Sequence, residues 1–132
     1  MRFCALIPEL SVRDLDRSKG FYVGLLGFRV EYGRAEDKFL FLSLGEAQIM
    51  LEEVNGHWDT GVLDYPLGRG VNFQISVDDL EPILCRLNQA CVPLFREPRV
   101  SSYRVGDEFV REREFLVQDP DGYLLHFSQE MP

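Results

Sequence analysis

The sequence has little cysteine and no long apolar run. Its three cysteines, Cys4, Cys85 and Cys91, are odd in number and show no CxxC spacing, which excludes a disulfide framework. Each has apolar neighbours, so we predict reduced thiols within the core. No apolar run approaches the roughly 20 residues that span a bilayer, and the N-terminal MRFCALIPEL lacks the cleavage pattern of a signal peptide. We therefore expect a cytoplasmic protein without a membrane segment.

Positive charge is also scarce. The 132 residues include 14 lysines and arginines against 22 acidic residues, a formal net charge of −8. Such a chain offers phosphates no contiguous basic surface, which argues against nucleic acid as a partner. The same charge favours a cationic ligand, although an acidic surface also serves solubility alone. No phosphate-binding loop, dinucleotide fingerprint or Ser/His/Asp arrangement is present.

The sequence does contain an internal repeat. The segment SVRDL at 11–15 recurs as SVDDL at 76–80, and each copy joins a strand pattern to an amphipathic helix pattern. Three short strand patterns follow each helix, so each half has the order βαβββ. We predict one domain with repeats at about 1–55 and 71–132, joined by a glycine-rich linker at 56–70.

Hydrophobic periodicity gives the approximate bounds of these elements. In the first half it predicts a strand at 5–12, a helix at 15–26, and strands near 29–35, 38–44 and 47–54. In the second half it predicts a strand at 71–77, a helix at 80–90, and strands near 94–99, 114–118 and 124–129. Two functional candidates, Tyr103 and Asp107, then fall on a loop between strands.

The most informative stretch is REFLVQDPDGYLLHFSQ at 113–129. Its DPDG segment predicts a β-turn, because proline presets one backbone angle and glycine accepts a positive one. In the strand that follows, Leu125 and Phe127 share one face, while Leu124, His126 and Ser128 share the other. His126 therefore projects away from the large apolar side chains, and its role is the main functional question.

These features resemble the vicinal oxygen chelate superfamily of glyoxalases, extradiol dioxygenases and bleomycin resistance proteins. The resemblance rests on the paired βαβββ halves, on PELSVRDLDRSKGFYVGLLGF at 8–28 and on DPDGYLLHF at 119–127. It covers essentially the whole chain. It implies an α+β fold in which the two repeats form a curved eight-stranded mixed sheet, and it implies a homodimer.

Enzymes of this superfamily hold a divalent metal on the cavity face of the sheet. By the resemblance, the four ligand positions fall here on Ile7, Asn72, His126 and either Leu51 or Glu52. Isoleucine cannot ligate, asparagine is a poor ligand for such metals, and a catalytic site needs three or more protein ligands. We therefore predict no metal, no other cofactor and no catalytic residue.

The bleomycin resistance branch is similar in its REF-x-x-x-DP-x-G segment followed by a histidine–phenylalanine pair, here at 113–127. This resemblance implies sequestration without chemistry, in which a dimer holds a cationic antibiotic in grooves at its interface. Drug-binding members carry an aromatic residue just before the REF segment. Val110, Arg111 and Glu112 stand there in this chain, which leaves the identity of the ligand open.

A flat cationic ligand needs aromatic faces for its rings and carboxylates for its amines. Trp58, Tyr65 and Tyr103 are predicted to supply the aromatic faces from loops, although Trp58 could equally anchor the dimer interface. Asp59 and Asp107 are additional loop carboxylates. The full predicted ligand-binding set is Glu9, Glu52, Trp58, Tyr65, Asn72, Gln74, Tyr103, Arg111 and His126.

Two alternatives stay open at this level. The first is a metal-dependent glyoxalase-like lyase or dioxygenase of the same superfamily that uses His126, Glu52 and Glu9. The second is a binding module for an unrelated metabolite, which the sequence cannot separate from an antibiotic-binding protein.

Overall fold

Both halves of the chain fold with the predicted βαβββ order. The computed structural model describes all 132 residues and divides the chain into two units, Met1–Leu67 (unit one) and Gly68–Pro132 (unit two). The eight strands form two four-stranded mixed sheets, one in each unit. No helix is long and apolar enough to cross a membrane.

Unit one contains strand β1 (Glu9–Val12), helix α1 (Leu15–Lys19) with a π-helical continuation (Gly20–Leu25), and strands β2 (Arg29–Arg34), β3 (Phe39–Leu44) and β4 (Ala47–Glu53). The strand order is β1-β4-β3-β2, with β1 parallel to β4 and the other pairs antiparallel. The side chain of Asp14 accepts a hydrogen bond from the Arg17 amide at 3.1 Å and caps the N-terminus of α1.

Unit two contains β5 (Asn72–Ser76), α2 (Glu81–Gln89), β6 (Arg96–Val105), β7 (Glu108–Gln118) and β8 (Leu124–Met131). The strand order is β5-β8-β7-β6, and β5 runs parallel to β8. The core of this unit includes alternate residues of β7 and β8, namely Phe115, Val117, Leu125 and Phe127, all with no exposed surface. The predicted inward direction of Leu125 and Phe127 is confirmed.

The hairpin formed by β6 and β7 is much longer than the sequence predicts. Residues 100–105 and 108–113 continue the two strands, so the prediction that Tyr103 lies on a loop was wrong, whereas Asp107 does lie in the connecting turn. Most side chains of the extension are at least partly exposed on both faces, and no apolar alternation marks it. The ladder of hydrogen bonds between the strands defines this part of the sheet.

The prediction that the cysteines lie in the core was also wrong, because Cys4, Cys85 and Cys91 are all exposed and free. The apolar neighbours of Cys85 in α2 are the residues that turn inward, among them Ile83 and Leu87. A helical residue one or two positions away from them points in another direction. Apolar neighbours in the sequence therefore did not imply burial.

Gly68 occupies a position that favours glycine for two reasons. Its φ is +72°, and a Cβ built there would lie 2.5 Å from Cδ1 of the Tyr123 ring. Gly70 also has a positive φ, +86°, but its Cβ would meet nothing within 4 Å.

We expect Gly68→Ala to lower the free energy of unfolding by about 2–4 kcal/mol and Gly70→Ala by about 1 kcal/mol. Urea unfolding of both variants tests the difference, and equal losses would show that the Tyr123 contact contributes nothing.

Candidate functional site

One face of the sheet in unit two carries polar side chains on four adjacent strands. Antiparallel pairing sets His126 opposite Leu116, Glu114 opposite Ser128, and Arg99 opposite Glu114. Because residues two apart along a strand share a face, these pairs lie on the side opposite Phe127. We call this surface the polar face and define it by Asn72, Gln74, Tyr103, Glu112, Glu114 and His126.

At the centre of the polar face, Glu114 joins two other side chains in a hydrogen-bonded network. Its carboxylate is 4% exposed, with Oε2 at 2.7 Å from Nε2 of His126. The hydroxyl of Tyr103 donates a hydrogen bond to Oε1. A buried carboxylate is costly unless its oxygens are paired, and here both oxygens have partners. The network is therefore a fixed structural feature of the polar face.

The partners of Glu114 keep it ionised. Burial raises the pKa of its carboxyl, but the hydrogen bonds from Tyr103, His126 and Ser101 outweigh burial and hold the pKa below its usual range. The hydrogen bond to Glu114, and then burial, raise the pKa of the Tyr103 hydroxyl above its ordinary value. The network therefore places a negative carboxylate beside a protonated phenol at neutral pH.

Two adjacent cavities meet at this network. One, of about 280 Å³, is lined by Asn72, Arg96, Arg99 and Leu124 among others. The other, of about 370 Å³, is lined by Gln74, Val105, Val110 and Glu112. Tyr103, Glu114 and His126 line both, so a ligand in either cavity lies against the network.

A separate cavity of about 520 Å³ lies in unit one. Glu52 on β4 and Trp58 in the loop after β4 both line it. The side chain of Asn55 donates to Glu52 at 2.5 Å and accepts from the amide of His57 at 2.9 Å. Asn55 thus ties the loop to the end of β4. The indole of Trp58 is 60% exposed, so it offers an open aromatic surface beside a carboxylate.

The other residues predicted to bind ligand lie outside these cavity walls. Glu9 pairs with Met50, two residues before Glu52 on β4, and burial and then the charge of Glu52 raise the pKa of its carboxyl. The guanidinium of Arg13 lies 5.7 Å from the centre of the Tyr65 ring. Arg111 alternates with Glu112 along β7, belongs to the opposite side of the sheet, and donates to the carbonyl of Pro132 at 3.1 Å.

Comparison with known proteins identifies the family. Residues 5–127 match the Glyoxalase/Bleomycin resistance protein/Dioxygenase superfamily. The chain belongs to this superfamily. The predicted relationship to the vicinal oxygen chelate proteins is confirmed, and the two mixed four-stranded sheets with few helices have the corresponding fold.

Relatives within the superfamily carry two kinds of name. The chain is 32% identical to the bleomycin resistance protein of Geobacillus stearothermophilus over 95% of this chain and 96% of that protein. It is 30% identical to a probable lactoylglutathione lyase of Vibrio cholerae over 91% of this chain and 86% of that protein. A superfamily structure from Alicyclobacillus acidocaldarius shares the fold, with a TM-score of 0.66 and 23% identity over 100% of this chain and 96% of that one.

The residues at the four positions that the resemblance assigns to a metal do not fit a divalent ion. Two of the four positions carry isoleucine and asparagine. At the third, Leu51 is apolar with no exposed surface, and the carboxylate of Glu52 accepts a hydrogen bond from Asn55. At the fourth, Nε2 of His126 is paired with Glu114. No group of three or more histidine, cysteine, aspartate or glutamate side chains is arranged to hold a metal.

Sequence reasoning missed four residues that the structure brings to the polar face. Glu114 was considered only as part of the REF segment and Glu112 only as its neighbour, and neither Arg96 nor Arg99 was considered. The detectable signal was strand alternation, which sets Glu114 on the face of β7 opposite Phe115. Pairing across β6, β7 and β8 was needed to show which side chains it meets.

Proposed function

We propose that this protein binds a cationic small molecule and holds it without chemical change. The observation that carries the proposal is the hydrogen bond between His126 and Glu114. Superfamily enzymes would need a metal-binding group at this place. Here a buried carboxylate network lies between the two cavities instead. Identity of 32% to bleomycin resistance proteins over nearly the whole chain supports the same conclusion.

The chemistry of the cavities suits a planar cation. Tyr103 and the carboxylates of Glu112 and Glu114 line the cavity of about 370 Å³ in unit two. Trp58 and the carboxylate of Glu52 line the cavity in unit one. Aromatic faces attract flat or cationic groups, and carboxylates attract amines, so both cavities favour the ligand class expected from the net charge.

We further propose that the protein acts as a homodimer in the cytoplasm. Three free cysteines suit a reducing compartment. Light scattering at micromolar concentration should give the mass of two chains. A monomer at that concentration would mean that each chain binds its ligand alone.

Titration with bleomycin tests the proposed ligand class directly. We expect saturable binding of metal-free and copper-loaded bleomycin at about one drug per chain, followed by heat and by the fluorescence of the single tryptophan, Trp58. Glu112→Gln should weaken binding about fivefold because it removes a cavity carboxylate, whereas the exposed Glu108→Gln should not. Trp58→Phe should abolish the optical signal while heat is still released. A folded protein that gives no heat with either form would exclude bleomycin-type ligands.

A metal-dependent lyase is the second candidate, favoured by the probable lactoylglutathione lyases among the relatives. The poor fit of the metal positions weighs against it. We expect dialysis against a chelator to leave the unfolding midpoint unchanged, and added Fe, Mn, Ni or Zn to produce no lyase activity. Stoichiometric retention of one of these metals, with a higher midpoint, would instead support the enzyme.

A further inference from the structure

An irregularity in β6 sets two arginines on the polar face. Arg96 pairs with Leu116 and Arg99 pairs with Glu114, so Glu97 and Pro98 together lie opposite a single residue of β7. In a regular strand, residues three apart point to opposite sides. Because this β-bulge adds one residue between them, Arg96 and Arg99 instead point to the same side of the sheet as their partners Leu116 and Glu114. Proline suits the bulge because no ladder hydrogen bond is needed from it.

Both arginines lack a carboxylate partner. Neither guanidinium takes part in an ion pair, whereas Arg29, Arg34 and Arg113 each bind a carboxylate. Arg96 instead lies 6.0 Å from the centre of the Phe95 ring. Both line the cavity of about 280 Å³, together with Tyr103, Glu114 and His126. Two arginines without an ion-pair partner therefore line this cavity, and Glu97 lines it beside them.

We infer that Arg96 and Arg99 together bind an acidic group of the ligand, such as a carboxylate or sulfonate attached to an aromatic ring. Guanidinium groups form paired hydrogen bonds with such oxyanions. The neighbouring cavity carries Glu112 and neither lysine nor arginine. Within the polar face, arginines therefore line only the first cavity, although Glu97 also lines it, and Glu112 lines only the second. This arrangement matches a ligand that bears both charges.

This inference rests on the proposed function and adds an acidic group to the cationic ligand. Three matched xanthene dyes separate the two claims: one with a cationic ring system and a free benzoate, its methyl ester, and fluorescein, in which both parts are negative. Fluorescence anisotropy gives the affinity of each dye for the intact protein. We expect the free acid to bind about tenfold more tightly than the ester, because an oxyanion meets two guanidinium groups.

Substitution of the arginines identifies the binding group. Arg96→Gln and Arg99→Gln should each weaken binding of the free acid about three- to tenfold, the lower end reflecting their exposure to solvent, and should leave binding of the ester unchanged. Arg104→Gln is the matched control, because Arg104 neighbours Tyr103 on β6 and therefore faces the other side. It should change neither affinity.

The outcomes distinguish this inference from the proposed function. Equal binding of acid and ester, or an equal loss in the Arg104→Gln control, would overturn the assignment to Arg96 and Arg99. Failure of all three dyes with a protein that binds bleomycin would overturn it as well and leave the cationic ligand standing. Binding of fluorescein and the free acid, without binding of the ester or bleomycin, would support the arginine pair and remove the purely cationic ligand.

Discussion

Replacing Glu114 with alanine is expected to lower the free energy of unfolding by about 2–3 kcal/mol. The substitution removes the acceptor of the Tyr103 hydroxyl and the partner of the half-buried His126 ring. Relief of the buried charge offsets part of this loss. The lowered pKa of Glu114 indicates that its hydrogen bonds outweigh the cost of burial, so the net effect is destabilising. Urea unfolding followed by circular dichroism measures it.

A neighbouring glutamate provides the control for this prediction. Glu112 lies on the same side of β7, but its contact with Gln74 is long, at 3.4 Å. Glu112→Ala should change the free energy of unfolding by no more than about 0.5 kcal/mol. A Glu114→Ala protein as stable as Glu112→Ala would mean that the network does not stabilise the sheet.

The contribution of Glu114 should depend on pH. The folded protein holds the carboxyl pKa below its usual range, and the unfolded value is about 4.3. Folding then favours the ionised form, so the stabilisation is complete above about pH 5 and disappears as pH falls through the folded pKa. The stability difference between the natural protein and Glu114→Gln should therefore shrink in acid. A stability difference that stayed constant from neutral pH to strong acid would contradict the conclusion that the carboxyl of Glu114 is ionised in the folded protein.

Phe127→Ala is expected to have the largest effect on stability, about 3–5 kcal/mol. The ring has no exposed surface and stacks on Phe115 with centroids 5.4 Å apart. Alanine would leave a cavity between β7 and β8, in the unit that carries the polar face. Since small domains have only about 5–15 kcal/mol of stability, we expect the unfolding midpoint in urea to fall steeply.

Two substitutions separate burial from aromatic character. Phe127→Leu keeps most of the volume and should cost about 1–1.5 kcal/mol. Phe109 lies on the same strand as Phe115 but is 69% exposed, so Phe109→Ala should cost less than about 0.5 kcal/mol. Similar losses for Phe127→Ala and Phe109→Ala would show that the core does not depend on this stacked pair.

The orientation of the side chains of β8 shows what alternation in the sequence can predict. Leu125 and Phe127 turn inward and His126 turns away from them, as the sequence indicated. A strand presents successive residues to opposite faces, so in a run with one apolar and one polar face the apolar face is the one that is buried. The βαβββ repeat was predictable for the same reason, because each half carries its own periodic pattern.

The hairpin at 96–118 shows where that reasoning stops. Its outer part has solvent on both faces, so no apolar period marks it and Tyr103 was assigned to a loop. Strand pairing, which joins residues distant in sequence, decides both its length and the side chains that meet Glu114. The single extra residue that turns Arg96 and Arg99 to the same side is likewise a property of pairing.

The sequence by itself determined the superfamily, the order of elements and the inward face of β8. These depend on residue identity and on short-range periodicity. Only the tertiary structure decided that Glu114 binds both His126 and Tyr103, that the cysteines are exposed, and that two arginines share the polar face. Those outcomes depend on register between strands, and a shift of one residue in register moves every side chain to the other face.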